Sequence, residues 1–311
     1  MALPLMYKTV PGDSWRPQLG NAWDQMRFAI PLGLATMIGV LSRSVDKVVV
    51  SSMCSPEQFA IYVNGAVDIP LIGILTGSVT SVLMPEIVEL YSKGDNQAAL
   101  ALWRRAAVKC SIILLPAMCF LFIMAPGVMR LLFSAEYSAS ATPFRMYLLL
   151  VPIRIVAWGP MLMAAGKSSW ILSRTAISLG LNLVLSIILV HYLGYIGAIV
   201  GSICELYLWA IPFHAFAISR LYGCPIRSVL PLGKISFVML LSLVACLIFL
   251  AMPYLHLGGD LVTVTVFSVL YACLYTVLIT TTGVISLARV WASLGFHEKG
   301  QSLRRLRCRP S

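Results

Sequence analysis

Charge is what this sequence has least of. Asp, Glu, Lys and Arg make up 11% of its 311 residues, whereas 59% are hydrophobic; a soluble domain carries roughly 25% charged residues. A water-soluble fold of this length needs a large polar surface. Soluble enzymes, secreted disulfide scaffolds and disordered chains are therefore excluded, and most of the chain must face lipid or pack among lipid-facing helices. The eight cysteines form no CxxC pair and lie mostly in apolar runs, where Cys acts as a small hydrophobe. With four isolated His residues besides, neither a disulfide framework nor a metal site is expected. P-loop, HExxH and GxSxG patterns are absent, as is a loop cluster of acids suited to a divalent metal and a sugar phosphate. Neither enzymatic activity nor a cofactor is expected. Residues 1–27 contain Pro4, Pro11, Asp13, Pro17 and Asp24 and no apolar stretch of signal-core length, so the first long hydrophobic run must itself direct insertion.

What is present is a series of long apolar runs. Eight are long enough to cross roughly 30 Å of hydrocarbon as helices, near 28–50, 60–84, 106–126, 143–163, 171–192, 196–218, 235–254 and 262–286. They are too continuous for the alternating pattern of an outer-membrane barrel. The fold expected is all-α integral membrane with about eight transmembrane helices. Basic residues orient the spans. Of the 23 Lys and Arg, eighteen fall in the segments that are inner when the N-terminus is inside. One, Arg130, falls in an outer segment, and Arg43, Lys47, Arg145 and Arg154 fall within spans. This asymmetry places both termini in the cytoplasm. It also accounts for the net charge of +11 without a nucleic-acid partner. Residues 91–105 read as an amphipathic helix on the inner surface leading into the third span. Residues 125–142 read as an outer segment with a short apolar helix. The basic stretch 296–311 suits contact with anionic headgroups.

Charges inside spans are costly and normally face a protein-lined or watery interior. Arg43, Asp46 and Lys47 share one face of the first span. Asn64 and Asp68, spaced i and i+4, share a face of the second at similar depth. Two readings stand for this cluster: an ion pair of Asp68 with Arg43 or Lys47 that pins the two helices, or a cationic wall that binds an anionic headgroup. Nearer the midplane, at roughly 13–17 Å depth, lie Arg154, Asn182 and Glu205. Arg154 with Glu205 is the expected pair, serving as an interhelical tie, a headgroup site or a coupling site for protons or cations. Arg145 is placed to snorkel, and Glu86 with Lys109 to form a structural pair. Pro31, Pro70, Pro116, Pro152 and Pro160 fall inside spans, where proline bends a helix by removing a backbone hydrogen bond.

Three stretches resemble the polysaccharide and lipid-linked oligosaccharide flippase branch of the multidrug/oligosaccharidyl-lipid/polysaccharide exporter superfamily. The first, over 27–95, contains RFAIPLG, SRSVDKVVVSSMCSPEQFAIYVNGAVDIP and LMPEIVELYSKGD. The second is AAGKSSWILSRTAISLGLNLVLSIILVHYLGYIGAIVGSIC, and the third is APGVMRLLFSAEYSASA, with Ser134 where Gly is usual. Together they cover about two-thirds of the chain, and their order and spacing are the specific part. The resemblance implies a cytoplasmic segment over 1–27, a six-helix lobe over 28–220, a two-helix extension over 221–290 and a basic cytoplasmic tail over 291–311, in the inner cell membrane. It implies alternating-access translocation of a polyprenyl-pyrophosphate-linked glycan, with Arg43, Lys47 and Arg154 toward the cavity. A drug/cation antiporter and a non-transporting scaffold lobe in a glycan-synthesis complex are the alternatives. Such transporters have two lobes, so the resemblance also implies a second lobe or a homodimer as partner, or a truncated reading frame.

Overall fold

The computed structural model describes residues 19–133, 135–249 and 259–283. The N-terminal expectations for 1–18, Ser134, and the expectations for the basic tail fall outside them. Among the described residues there are helices and turns but no strands. Seven of the described helices are long and apolar enough to cross a membrane, and an eighth crossing results if the pair 136–148 and 151–164, bent by 44°, counts as one. The all-α membrane architecture expected from hydropathy holds.

Helix α1 spans Leu19–Met53. The second apolar run is not one helix. α2 covers Pro56–Gly65, an extended break follows at 66–69, and α3 runs Pro70–Ser92. Ser55 caps α2 by accepting from the Gln58 N–H, and the Gln58 side chain returns a bond to the Ser55 N–H. Pro70 opens α3, where a missing N–H costs nothing. The expectation that Asn64 and Asp68 share a helical face is thus corrected: Asn64 belongs to α2 and Asp68 to the break.

α4 is a single helix over Asn96–Phe133, 38 residues and about 57 Å long. Gly94, at φ 76°, makes the turn before it. Residues 96–105 are the first turns of α4 rather than a separate surface helix, because Ala99, Leu100 and Trp103 are buried against protein. The outer segment is corrected likewise. Residues 125–133 continue α4, and Ala135–Ser140 is a 3-10 turn. Two prolines inside α4 each free a carbonyl four residues earlier. Both carbonyls are satisfied from other elements. The Tyr275 hydroxyl donates to the Ile112 carbonyl at 2.9 Å, opposite Pro116. Arg145 Nε donates to the Phe122 carbonyl at 2.9 Å, opposite Pro126. Arg145 is therefore a tie to α4, not a snorkelling side chain.

The fourth crossing is assembled from α5 (Ala141–Leu148), α6 (Val151–Arg154) and α7 (Gly159–Ala164). Its breaks leave free carbonyls that need donors inside the membrane. Tyr207 donates its hydroxyl to the Leu149 carbonyl at 2.9 Å, and the Trp103 indole donates to the Ala157 carbonyl at 2.8 Å.

α8 (Ser168–Leu193) and α9 (Ile196–Glu205) form a tight antiparallel hairpin turned at Gly194, φ 63°. A Cβ on Gly197 would fall on the Leu189 carbonyl, and one on Gly201 would lie 3.1 Å from Ser186 N. Glycine here permits the close approach. After α9 the helix passes through a π turn, Leu206–Ala210, into α10 (Ile211–Tyr222). A short turn, α11 (Ile226–Val229), leads to α12 (Leu232–Ala245), and α13 covers Asp260–Thr281.

Three cores result. α1, α2, α8 and α9 bury Val45, Val50, Tyr62, Val190 and Ile199 together. α3, α4, α7 and α10 enclose the largest, around Ile87, Trp103, Leu114, Met161 and Tyr222. α12 and α13 pack on α4 through Met124, Phe249, Phe267 and Tyr271. Arg130 clasps Asp260 with two hydrogen bonds, 2.9 and 2.7 Å, tying the C-terminal end of α4 to the start of α13.

Candidate functional site

The polar residues singled out from the sequence separate into three places. Asp46 is buried in α1. Its carboxylate accepts from the Tyr62 hydroxyl at 2.5 Å and from the next residue's backbone, the Lys47 N–H, at 2.9 Å. Two parts of the SRSVDKVVVSSMCSPEQFAIYVNGAVDIP stretch thus meet in one hydrogen bond between α1 and α2. Arg43 is exposed on α1, and the Lys47 side chain is half-buried; neither forms a salt bridge among the described residues.

Asp68 pairs with Arg154, not with Arg43 or Lys47. Arg154 Nη1 lies 2.6 Å from Asp68 Oδ1, and the Tyr147 hydroxyl donates to the same oxygen at 3.3 Å. The guanidinium also sits 5.8 Å from the centre of the Tyr147 ring, within cation–π range. Two interrupted segments produce this pairing. The break at 66–69 brings Asp68 out of helical register, and Arg154 ends the isolated turn α6. A continuous helix in either place would aim these side chains elsewhere. Arg154 therefore does not pair with Glu205, and no Glu86–Lys109 bridge occurs.

Asn182 sits in the α8–α9 hairpin. Its Nδ2 donates to Ser202 Oγ at 2.9 Å, and its Oδ1 accepts from Ser186 Oγ at 3.3 Å. Glu205, buried at the end of α9, has one carboxylate oxygen with no hydrogen-bond partner. Asn64 is half-buried on α2.

Beyond Arg154, a half-open cavity of about 300 Å³ lies between the fourth crossing, α8 and the π turn leading into α10. Arg154, Trp158, Leu162, Arg174, Ala210 and His214 are among its lining residues. Three of these carry buried nitrogens with no partner: Trp158 Nε1, Arg174 Nε and His214 Nδ1. Trp158 and His214 stack at 5.0 Å, so the two rings brace each other. Ser178 Oγ is likewise unpartnered, one helical turn above Arg174.

Sequence reasoning missed Tyr62, Tyr147, Trp158, Arg174 and His214. One signal was present. Arg174, Ser178, Asn182 and Ser186 recur every four residues, a polar stripe along one face of α8. Counting Arg174 among the inner-loop charges hid it. α8 begins at Ser168, which puts Arg174 about 9 Å along the helix. Tyr62 stands in the first resembling stretch, but the Trp158 and His214 rings lack any sequence signal, since aromatic residues are common throughout the spans.

Residues 6–142 match a family model described as polysaccharide biosynthesis protein. No curated protein matches the chain. Among solved structures, a MOP superfamily transporter from Pyrococcus furiosus is similar at 18% identity and a TM-score of 0.48. The likeness covers 83% of this chain and 63% of that one, so the chain spans less than two-thirds of that transporter's length. Over residues 6–142, then, the chain matches a polysaccharide biosynthesis protein family, in agreement with the resemblance to the exporter superfamily carried by its motifs.

Proposed function

We propose that this chain is a membrane transporter of the flippase type, or the C-terminal portion of one. It moves a lipid-linked oligosaccharide or polysaccharide precursor from the inner to the outer leaflet by alternating access. The observation that carries this reading is Arg154, a cation placed between two breaks of a membrane crossing and held by Asp68 from a third break. Interrupted membrane helices bring side chains and backbone ends to a substrate at the midplane. Guanidinium, with its planar fork, suits a diphosphate. The match to a polysaccharide biosynthesis family supports a glycan as cargo.

In this reading Arg154, with Arg43 and Lys47 on α1, faces the translocation path; Asn64 and Asn182 lend polar surface. Asp46, Asp68 and Glu205 serve as counter-ions or coupling groups. The lobe over 28–220 forms one wall of the path and the helices of 221–290 flank it. The exposed face of α1, with Ile30, Leu34, Met37, Val40 and Arg43, calls for a second lobe or a second copy, because an uncovered guanidinium in lipid costs several kcal/mol. The chain sits in the inner cell membrane with cytoplasmic termini, and its action involves no covalent step. An antiporter for cationic drugs would need unpaired acids along the path. The cations at Arg43, Lys47 and Arg154 favour an anion instead.

The test is reconstitution in vesicles, alone and with a candidate second lobe, using a fluorescent polyprenyl-diphosphate saccharide. Translocation that Arg154→Ala reduces at least about tenfold supports the reading. Translocation unchanged by Arg154→Ala removes the headgroup role. Efflux of cationic dyes without glycan movement favours the antiporter.

A further inference from the structure

The cavity behind Arg154 has features that a translocation path does not explain. It lies within one packed group of helices, among the fourth crossing, α8 and α10. Among the described residues its charged lining groups are Arg154 and Arg174, and no carboxylate lines it. Asp68 holds Arg154 through Nη1 alone, leaving the other nitrogens of the fork available. Arg174 forms no salt bridge with any described residue.

Hydrogen-bonding capacity points the same way. Buried polar atoms are almost always partnered, and a cluster of exceptions calls for a missing ligand or water. Here the exceptions converge. Trp158 Nε1 and Arg174 Nε are obligatory donors, and His214 Nδ1 donates in one of its tautomers. All three residues line the same cavity. Trp158 and His214 are each only 9% exposed, so bulk water does not satisfy them. Donors without acceptors, beside two guanidiniums, suit an oxyanion. The rest of the lining is apolar, including Ile153, Leu162 and Leu206, which suits the hydrocarbon attached to such a group. A volume of about 300 Å³ holds a phosphate and the first few carbons of a chain.

We propose that the cavity lined by Arg154, Trp158, Arg174 and His214 is a binding site for a phosphate monoester bearing an apolar tail. The site is distinct from the α1 face with Arg43 and Lys47, and shares with it only Arg154. The choice of a lipid-borne phosphate rests in part on the transport reading; the cage of donors does not. Arg174 and the Trp158–His214 pair meet the phosphate, and the apolar lining meets its tail.

The experiment uses the full chain in lipid nanodiscs of zwitterionic lipid and measures binding directly by native mass spectrometry and thermal shift. The probes are farnesyl phosphate, farnesol and inorganic phosphate. Farnesyl phosphate is expected to bind one per chain and raise the melting temperature, while farnesol is not. Arg174→Gln is expected to weaken binding about tenfold or more, with Lys93→Gln, which removes a cation far from the cavity, leaving it unchanged. Ala210→Phe fills the cavity with apolar volume and is expected to abolish binding without removing any charge, which covers the case of a misfolded Arg174 variant. Equal binding of farnesol, or farnesyl phosphate binding that survives both variants, overturns the proposal. So does the absence of farnesyl phosphate binding. Binding of inorganic phosphate as tight as the ester assigns the site to free phosphate and overturns the lipid assignment. Glycan translocation is scored separately: binding without translocation refutes the transport reading and leaves the site, whereas translocation intact in a chain that no longer binds refutes the site's role in transport.

Discussion

Pro116 and Tyr275 are far apart in sequence, yet the fold makes one the compensation for the other. Pro116 cannot donate to the Ile112 carbonyl, and the Tyr275 hydroxyl does so at 2.9 Å from α13. Tyr275→Phe keeps the ring and its packing but leaves that carbonyl without a donor in an apolar setting. The loss is expected to be about 1–1.5 kcal/mol, between the average for hydrogen bonds inside membrane proteins and the penalty for an unsatisfied buried group. Pro116→Ala restores a backbone N–H at the right position. In that background Tyr275→Phe is expected to cost less than about 0.3 kcal/mol, so the double-mutant cycle yields a coupling of about 1 kcal/mol. The assay is equilibrium unfolding of purified protein in mixed micelles titrated with a denaturing detergent, followed by far-ultraviolet circular dichroism. An equal cost of Tyr275→Phe in both backgrounds would show that the hydroxyl does not serve the proline gap, and the account of how α4 tolerates its prolines would fail.

The other expectations follow from equally local arguments. Gly197→Ala drives a methyl onto the Leu189 carbonyl and should destabilise the α8–α9 hairpin by about 2–3 kcal/mol, whereas Gly180→Ala, which meets nothing within 4 Å, should be neutral or stabilising in the same unfolding titration. Tyr62→Phe should free the buried Asp46 carboxylate of its 2.5 Å donor and cost about 2 kcal/mol, visible as a lower melting temperature; a smaller loss from Tyr62→Phe than from Tyr192→Phe, an exposed residue, would contradict the assigned tie. Exchanging Arg130 and Asp260 should recover most of the stability lost in either single swap, but the pair is about 40% exposed, so each loss should be about 0.2–1 kcal/mol and should shrink in high salt. Asp68→Asn should release Arg154 and change glycan translocation in the same direction as Arg154→Ala if the pair acts as a unit; opposite effects on transport would show that the two groups act separately.

Much of the architecture was legible in the sequence, because the bilayer imposes it. Apolar runs of about twenty residues can only be crossings. They located the crossings, the runs at 28–50, 171–192 and 196–218 to within about four residues, whereas those at 60–84 and 106–126 missed the ends of α3 and α4 by seven to ten residues. Gly194, Gly197 and Gly201 stand in the second resembling stretch, and glycine tolerates the positive φ and the backbone contact that the α8–α9 hairpin requires. The second run was misjudged because residues 60–84 are apolar throughout, and hydropathy does not register a break. Pro70 was the signal: as a helix opener it marks a start rather than a bend. The early turns of α4 were misjudged for the converse reason, as an amphipathic face can bury against protein as well as against headgroups.

Composition and periodicity decided that this chain is a helical membrane protein, and which residue types are too costly to leave bare in lipid. Tertiary structure alone decided their partners: Asp68 with Arg154, Asp46 with Tyr62, Tyr275 with a carbonyl on α4, and Arg174 with a cavity. Burial cost belongs to a residue and can be read one position at a time. Pairing depends on where helices break and cross, and a shift of a single residue turns a side chain by about 100° around the helix axis.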